Sequence, residues 1–449
     1  MALTGIQIFK MLPGTNCKKC GSPTCLAFAM NLASGKAELD SCPDVSPESR
    51  EKLSAASAPP IRPVTIGYGD TQFKVGGETV QFRHEKTFFN PTAIGAMITD
   101  DTPTDEIVER VKKYGLLQYG RVGLNLRPEL VVIKANGGDL ALAAKTVVEN
   151  SDLSVILYSE DPAALKAATA VLEGKNPLIG PATTENAAAV AEVALAAKVP
   201  VWLKAKNLDE VAVLTDTLGK AGLKDLVIDT GARTVKEVFT DSICVRRAAL
   251  VGQNRAYGFG TITFPCEITD NLALQGPIAA SLIAKYAGIV VLSELDGAVV
   301  FPLLLERLNI FTDPQRPMTV VEGIYPINNP NENSPVMVTT NFSLTYFIVS
   351  GEVEGSRVPS WLLIKESEGL SVLTAWAAGK FSGDDVGQFV GKRSNILEKI
   401  KHKSVIIPGY AAAILGDMEE ELPGWTVSIG PREAAHLPKF LKEYKVSGG

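Results

Sequence analysis

The residues with the most evident chemistry lie near the start of the chain: Cys17-Lys-Lys-Cys20-Gly-Ser-Pro-Thr-Cys25, then Ser41-Cys42-Pro43. Four of the six cysteines fall within 26 positions, spaced C-x2-C-x4-C-x16-C, in a chain that otherwise avoids the residue. Thiolates gathered this densely bind soft metals, and sets of four hold zinc or iron–sulfur clusters. Structural zinc sites usually pair two short knuckles. Here only one knuckle is present, and the last cysteine stands alone before a proline, a pattern commoner around [4Fe–4S] clusters. A cluster held by Cys17, Cys20, Cys25 and Cys42 is therefore favoured over zinc, and over disulfides or free thiols. Cys244 and Cys266 sit in apolar surroundings and read as core filler.

A segment must present these thiols. Leu3, Ile6, Ile8, Phe9 and Leu12 suggest a short amphipathic helix ending near Pro13-Gly14; Leu26, Ala29, Met30, Leu32 and Ala33 continue a second, which Gly35 would end. Residues 1–58 are too few to hold a core alone, so a metal site would staple them together. Ser54 to Pro63 passes from small residues into prolines and reads as a semi-rigid linker.

At 449 residues two or three domains are expected. Apolar residues at 46% and charged residues at 21% are the composition of a globular protein. The net charge of −6 argues against a general nucleic-acid binder. The first residues carry no basic n-region, so no signal peptide is expected. The most apolar stretch, Gly276 to Leu305, is interrupted by Lys285, Glu294 and Asp296 and reads as a buried helix and strand, not a membrane span. Cysteines concentrated in one metal motif point to a reducing, cytoplasmic setting.

Residues 59–325 read as the second domain. Val64 to Arg83 suggests a β-hairpin turning around Val75-Gly-Gly-Glu78. Short apolar runs then alternate with helical stretches: Ala93–Ile98, Val131–Lys134, Ser154–Leu157, Leu178–Gly180, Pro200–Lys204, Leu226–Asp229, Thr261–Phe264 and Gly288–Leu292. Eight β-then-α units match a (β/α)8 TIM barrel in number and size, with a doubly wound open sheet as the competing fold. Barrel chemistry sits where strands end, which singles out Asp100, Lys134, Asn136, Glu160, Asn186, Lys204, Asp229, Glu267 and Asp296. Such a ring could hydrogen-bond a pterin or similar heterocycle, but polar residues crowd loop starts in any case as caps. No spacing marks an acid/base pair, and no catalytic residue is assigned.

Residues 326–449 form the third domain. Pro326 to Pro335 reads as a linker rich in Asn and Pro. Beyond it Val336–Thr340, Trp361–Glu366, Ser404–Pro408 and Thr426–Gly430 look like buried strands, each followed by a loop and a helical stretch. That is an open parallel sheet of the Rossmann or flavodoxin kind, which binds ligands beyond the carboxyl ends of its strands. The loops offer Gly369, Gly409 and Gly430, the hydroxyls of Thr340, Ser371, Thr374 and Tyr410, and helix N-termini. Such a rim suits a large, flat ligand, although Ser and Thr at helix starts are also ordinary caps. Ser371 and Thr374 would share one helix face. The basic run Lys399-Ile-Lys-His-Lys403 reads as a solvated helix end.

The cysteine motif, continued as Leu26-Ala-Phe-Ala-Met-Asn-Leu-Ala-Ser-Gly-Lys36, resembles the large (gamma) subunit of the corrinoid/iron–sulfur protein of the anaerobic acetyl-CoA (Wood–Ljungdahl) pathway of carbon dioxide fixation. The motif is specific; the remaining domains agree in order and size, supported by Gly369-Leu-Ser-Val-Leu-Thr374. The resemblance implies a methyl carrier, a subunit of a corrinoid-dependent methyltransferase system. Co(I) of a bound cobamide would accept a methyl group from methyltetrahydrofolate through a separate methyltransferase. Methyl-Co(III) would pass it to acetyl-CoA synthase/CO dehydrogenase, and the [4Fe–4S] cluster, fed by a low-potential electron donor, would re-reduce Co(II).

The resemblance also implies a heterodimer with a smaller barrel subunit, with neither nucleic acid nor membrane as partner. The cofactor-binding residues implied are Thr340, Asn341, Thr345, Tyr346, Gly369, Leu370, Ser371, Val372, Leu373, Thr374, Gly409, Tyr410, Ala411, Gly430, Pro431, Arg432 and Glu433. No D-x-H-x-x-G loop is present, and neither His402 nor His436 has that context. A base-off corrinoid without a protein ligand below the cobalt is therefore expected, with Ser371 and Thr374 under that face. Two alternatives stand beside the carrier: a barrel that itself transfers methyl from pterin to corrinoid, and a flavin/iron–sulfur electron-transfer protein. A zinc-stapled scaffold is a third.

Overall fold

Runs of Val, Ile and Leu flanked by alanine-rich amphipathic segments form strands covered on both sides, because a parallel strand buried on both faces needs no polar alternation. In the computed structural model, which describes residues 5–33, 37, 39–46, 48–50, 53, 59–121 and 124–446, eight such runs close into a parallel barrel. The strands are β3 (Ala93–Thr99), β6 (Leu130–Lys134), β7 (Ser154–Tyr158), β8 (Leu178–Ala182), β9 (Val201–Lys204), β10 (Leu226–Asp229), β11 (Gly260–Thr263) and β12 (Ile289–Leu292). β12 pairs with β3 to complete the ring. Asp139, Asp161, Asn207, Thr234 and Asn271 each cap an intervening helix by accepting a backbone N–H from its first turn.

The expected hairpin exists, but its turn lies elsewhere. β1 (Val64–Ile66) pairs antiparallel with β2 (Phe73–Val75) across residues 67–72, and Gly76 and Gly77 follow the second strand. The Gly-Gly pair adopts positive φ (88° at both positions) to lead the chain away beneath the barrel rather than to turn the hairpin. Val64, Ile66 and Val75 enter the core with Ala93, Val132, Ile156, Trp202 and Ile289. Gly260 and Gly288, at the amino ends of β11 and β12, leave just the space that Val75 fills. The hairpin seals the amino end of the barrel.

Short helices Gly5–Phe9 and Cys25–Ala33 carry the cysteine segment. Ile8, Leu12, Phe28, Ala29, Leu32, Val45 and Leu53 form a small core with Cys25 and Cys42. Leu3, Gly35 and residues 54–58, which figure in the expected helices and linker, lie outside the described residues.

The chain divides into two compact units, residues 1–118 with 127–311, and residues 119–126 with 312–449. The second unit contains the antiparallel pair β4 (Tyr119–Arg121) and β5 (Leu124–Leu126). The Arg121 guanidinium lies 3.7 Å from the centre of the Phe347 ring. Its main sheet has the order β13–β15–β14–β16–β17, from β13 (Gly323–Ile327), β14 (Val336–Thr340), β15 (Ser360–Lys365), β16 (Ser404–Ile407) and β17 (Thr426–Ile429). The four expected strands are parallel. The sheet as a whole is mixed, because β13 adds an antiparallel edge against β15.

Two sequence expectations are corrected here. Pro326 and Ile327 belong to that edge strand rather than to a linker; a proline is tolerated at an edge, where its missing N–H costs no interior ladder bond. The basic run does start at the C-cap of a one-turn helix, Ile396–Glu398, with its three lysines exposed, but it is not solvated throughout: His402 is buried, with one ring nitrogen 3.0 Å from the Ser334 carbonyl and the other accepting the Ser404 N–H. Among the described residues no helix is long and apolar enough to cross a membrane.

Candidate functional site

The cysteine loop is bent by left-handed residues at Asn16 (φ 48°), Lys18 (φ 61°) and Gly21 (φ 79°). Asn16 locks the loop to the following helix, its Oδ1 accepting the Cys25 N–H at 2.7 Å and its own N–H donating to Cys25 Sγ at 3.4 Å. Asp44 ties in the Cys42 strand of the loop, 3.1 Å from Lys19 Nζ and 3.5 Å from Cys17 Sγ. The hydrogen bond from Lys19 holds the Asp44 carboxyl below its usual value. Cys25 and Cys42 are buried, Cys20 half-buried and Cys17 exposed. Burial, reinforced by Cys20, Cys17 and Cys25, raises the Cys42 thiol, so the four sulfurs share one electrostatic neighbourhood. Among the described residues no group of three or more His, Cys, Asp or Glu is arranged to hold a single metal ion. The donor set, four soft thiols in one short segment built on a small core, fits an iron–sulfur cluster chemically.

The second candidate site lies at the carboxyl ends of the C-terminal strands. A cavity of about 330 Å³ opens there, walled by Met337, Val338 and Thr339 of β14, Thr345, Ile348 and Val349 of helix Ser343–Ser356, and the loops after β15, β16 and β17. Thr345, Ser371, Val372, Leu373, Tyr410, Gly430, Pro431, Arg432 and Glu433, singled out from sequence, all line it. Gly409 sits behind the wall: a Cβ there would lie 2.6 Å from the Gly430 carbonyl and 2.7 Å from the Arg432 nitrogen, so its bare backbone lets two loops meet.

Other expected residues support the wall rather than line it. Asn341 is fully buried; its Oδ1 accepts the Ser367 and Gly369 N–H groups, joining the loops after β14 and β15. Gly369 (φ 69°) packs on Pro317 and Thr319. Thr340 and Ala411 are wholly buried, and Leu370 packs on the domain core. Tyr346 stacks edge-on with Tyr325. Thr374 is exposed, its hydroxyl 3.0 Å from that of Ser371, so the two do share a face. Tyr410 donates to Glu433 at 2.6 Å, and that carboxylate raises the phenol above its usual value.

Sequence reasoning missed the residue most telling of a ligand. Thr339 is 2% exposed, lines the cavity and leaves its Oγ1 without a protein partner. Its position, next to last in a parallel strand, is the available signal. A buried hydroxyl without a partner costs about 1–3 kcal/mol, and a ligand hydrogen bond would recover it. The rest of the wall is mostly apolar, with Thr345, Ser371, Tyr410, Arg432 and Glu433 as its polar members, and Leu344, Ile348, Leu373, Trp376, Tyr410 and Ile429 on the surrounding elements are between 41% and 56% exposed. A deep, mostly apolar slot with a hydroxyl at its wall and exposed apolar side chains on the elements around it fits part of a large amphipathic ring-bearing ligand such as a corrinoid.

The polar residues at the carboxyl end of the barrel satisfy one another. Lys134 and Arg233 each reach Glu267 at 2.7 Å, and Arg233 grips Asp229 in a bidentate pair. Burial alone would raise Glu267; the Lys134 hydrogen bond and the Arg233 charge overcome it and leave the carboxyl below its usual value. Lys204 lies 3.4 Å from the Tyr158 hydroxyl and 3.9 Å from Glu160. Asp100 accepts the backbone N–H groups of Asn136 and Gly138, Asn186 accepts that of Thr183, and Asp296 accepts that of Ala298. Those three act as loop ties. Burial pushes the neighbouring Cys266 thiol up to about 12, which keeps it protonated and unreactive.

Residues 63–441 match a family model described as "CO dehydrogenase/acetyl-CoA synthase delta subunit". Residues 12–43 match one described as "Putative Fe-S cluster". The chain is 41% identical over 446 residues to the corrinoid/iron-sulfur protein large subunit of Moorella thermoacetica, covering 98% of this chain and 99% of the relative. It is 34% identical to the acetyl-CoA decarbonylase/synthase complex subunit gamma of Methanopyrus kandleri, covering 98% of each chain. With subunit gamma 1 of Methanosarcina mazei the identity is 35%, over 98% of this chain and 97% of that one. The delta-subunit match begins after the cysteine segment, whereas the large and gamma subunits align through it. The chain therefore belongs to the CO dehydrogenase/acetyl-CoA synthase delta-subunit family, and within it to the large, or gamma, subunits of the corrinoid/iron-sulfur protein.

Proposed function

We propose that this chain is the methyl-carrying subunit of the acetyl-CoA pathway, with a corrinoid seated at the C-terminal cavity and a [4Fe–4S] cluster on Cys17, Cys20, Cys25 and Cys42. The observation that carries the reading is the mostly apolar cavity at the strand ends, with the partnerless Thr339 hydroxyl in its wall and exposed apolar residues on the elements around it. When bound, the corrinoid supplies a nucleophilic cobalt that takes up and gives away a methyl group, and the cluster supplies single electrons at low potential.

This chain's own residues bind and orient. Thr339 would donate to or accept from a polar group at the cavity wall, while Met337, Val338, Ile348 and Val349 keep that group dry. Gly409 and Gly430 let backbone approach closely, and Ser371 with Thr374 present paired hydroxyls at the rim in place of an imidazole. Those hydroxyls would hold the corrinoid in its base-off form, with no histidine of this rim as its partner. The three functional segments are residues 1–58 for the cluster, 59–325 for the barrel and 326–449 for the corrinoid. A separate methyltransferase acting on methyltetrahydrofolate, acetyl-CoA synthase/CO dehydrogenase and a smaller subunit completing a heterodimer are the partners, in a cytoplasmic setting.

The test is an anaerobic absorption spectrum with metal analysis on protein produced with cobalamin and the smaller subunit. About four iron and about one cobalt per heterodimer are expected, with a corrinoid band that changes on reduction. Electron paramagnetic resonance of the half-reduced cobalt should show no axial nitrogen splitting from the protein. Zinc without iron, or a flavin band without cobalt, would overturn the reading.

A further inference from the structure

The loop after β15 leads into Ser371, and its backbone is strained on the way. Glu368 (φ 56°) and Gly369 (φ 69°) are both left-handed. Such backbone is disfavoured for a residue with a Cβ and persists where neighbours hold it. Two side chains make the hold: Asn341, directly after β14, and Glu366, directly after β15.

Three successive loop amides point at this pair. Asn341 Oδ1 accepts from Ser367 and Gly369, each at 3.0 Å, and Glu366 Oε1 accepts from Glu368 at 2.7 Å. Asn341 Nδ2 donates to Glu366 Oε2 at 2.8 Å, which locks the two side chains together. Asn341 is wholly buried, whereas Glu366 is exposed. The arrangement calls for an amide at position 341. A carboxylate there could accept the two N–H groups but could not donate, and it would face the Glu366 carboxylate. An amide turned the other way would aim N–H at N–H. Asn341 and Glu366 do not line the cavity; Ser371, Val372 and Leu373, at the far end of the loop, do.

We propose that Asn341 and Glu366 form a positioning pair for the corrinoid, holding the loop without touching the ligand. They fix the place from which Ser371, Val372 and Leu373 meet it. The inference rests on the corrinoid reading given above. A loop set before the ligand arrives loses little freedom on binding, so the pair acts on affinity more than on the fold.

The experiment titrates cob(II)alamin anaerobically into the full chain with its smaller subunit, and follows amide exchange at residues 367–369. Asn341→Asp should weaken cobalamin binding about tenfold or more, the loss expected for a hydrogen bond to a charged group. Exchange of the three amides should quicken while that of β14 and β15 stays as it was. Asn341→Asp combined with Glu366→Gln transposes the amide and the carboxylate. All four hydrogen bonds can then form again, and affinity should return to within about threefold of wild type. A side chain that only filled space would show no such return. Glu366→Ala changes an exposed position and serves as the second variant should Asn341→Asp fail to fold. It should weaken binding by about threefold to tenfold with the melting temperature unchanged. Wild-type affinity in Asn341→Asp or in Glu366→Ala, or a double variant that binds no better than Asn341→Asp, would overturn the pair. Those failures leave the corrinoid reading standing. A wild-type protein that binds no cobalamin would refute that reading itself and take the role of the pair with it.

Discussion

Glu267 shows how a single carboxylate can hold one end of the barrel. It accepts from Lys134 and Arg233, so its removal takes the paired carboxylate from Lys134 and leaves Arg233 with Asp229 alone on a part-buried rim. Glu267→Gln should destabilise the protein by about 2–4 kcal/mol at neutral pH, near the lower end for a broken buried pair because the rim is part-exposed. The carboxyl is held below its usual value of 4.5. Its contribution is therefore complete above that value and is lost as pH falls through the lower folded value. Denaturant midpoints should separate wild type from variant at neutral pH and draw together in acid, once pH has fallen through the lowered folded value. Parallel curves at both pH values would mean that the interaction does not carry this stability.

At the scale of elements, regular alternation made the fold readable and special backbone did not. All eight barrel strands follow from apolar runs because a parallel barrel strand is buried on both faces, as Leu130–Ile133 and Ile289–Leu292 are. Gly76-Gly77 misled the placement of the hairpin turn, since such a pair serves a turn and a close crossing equally well. β13 was hidden by Pro326, which usually argues against a strand. At the cavity, loop glycines and hydroxyls could be found from topology. Thr339 could not, because a missing hydrogen-bond partner is a property of the packed structure.

The hairpin itself is testable at this scale. Gly288→Ala would drive a methyl group into Val75 Cγ1 at the sealed end of the barrel. An overpacking cost of about 1–3 kcal/mol is expected, with a second change, Val75→Ala, recovering part of it. A thermal melt of the single and double variants decides; no rescue would mean the hairpin is not wedged there.

For the whole molecule, stability is distributed unequally between a large barrel and a cysteine segment with a very small core. Metal binding to such a segment is folding free energy for it. Stripping iron with a chelator should raise amide exchange across residues 5–53 at least tenfold, while exchange in the barrel strands stays unchanged. Thermal unfolding would then not be two-state. Equal loss of protection throughout would show that the segment and barrel unfold as one.

The antiparallel strand β13 has a consequence of its own. Without it, β15 would offer a row of unpaired amides along one side of the C-terminal sheet, a template on which another chain could grow a strand. With it, the outermost strand contains Pro326 and so lacks one of the donors such growth requires. The same five residues that complete the sheet thus also blunt the edge on which another chain could add a strand.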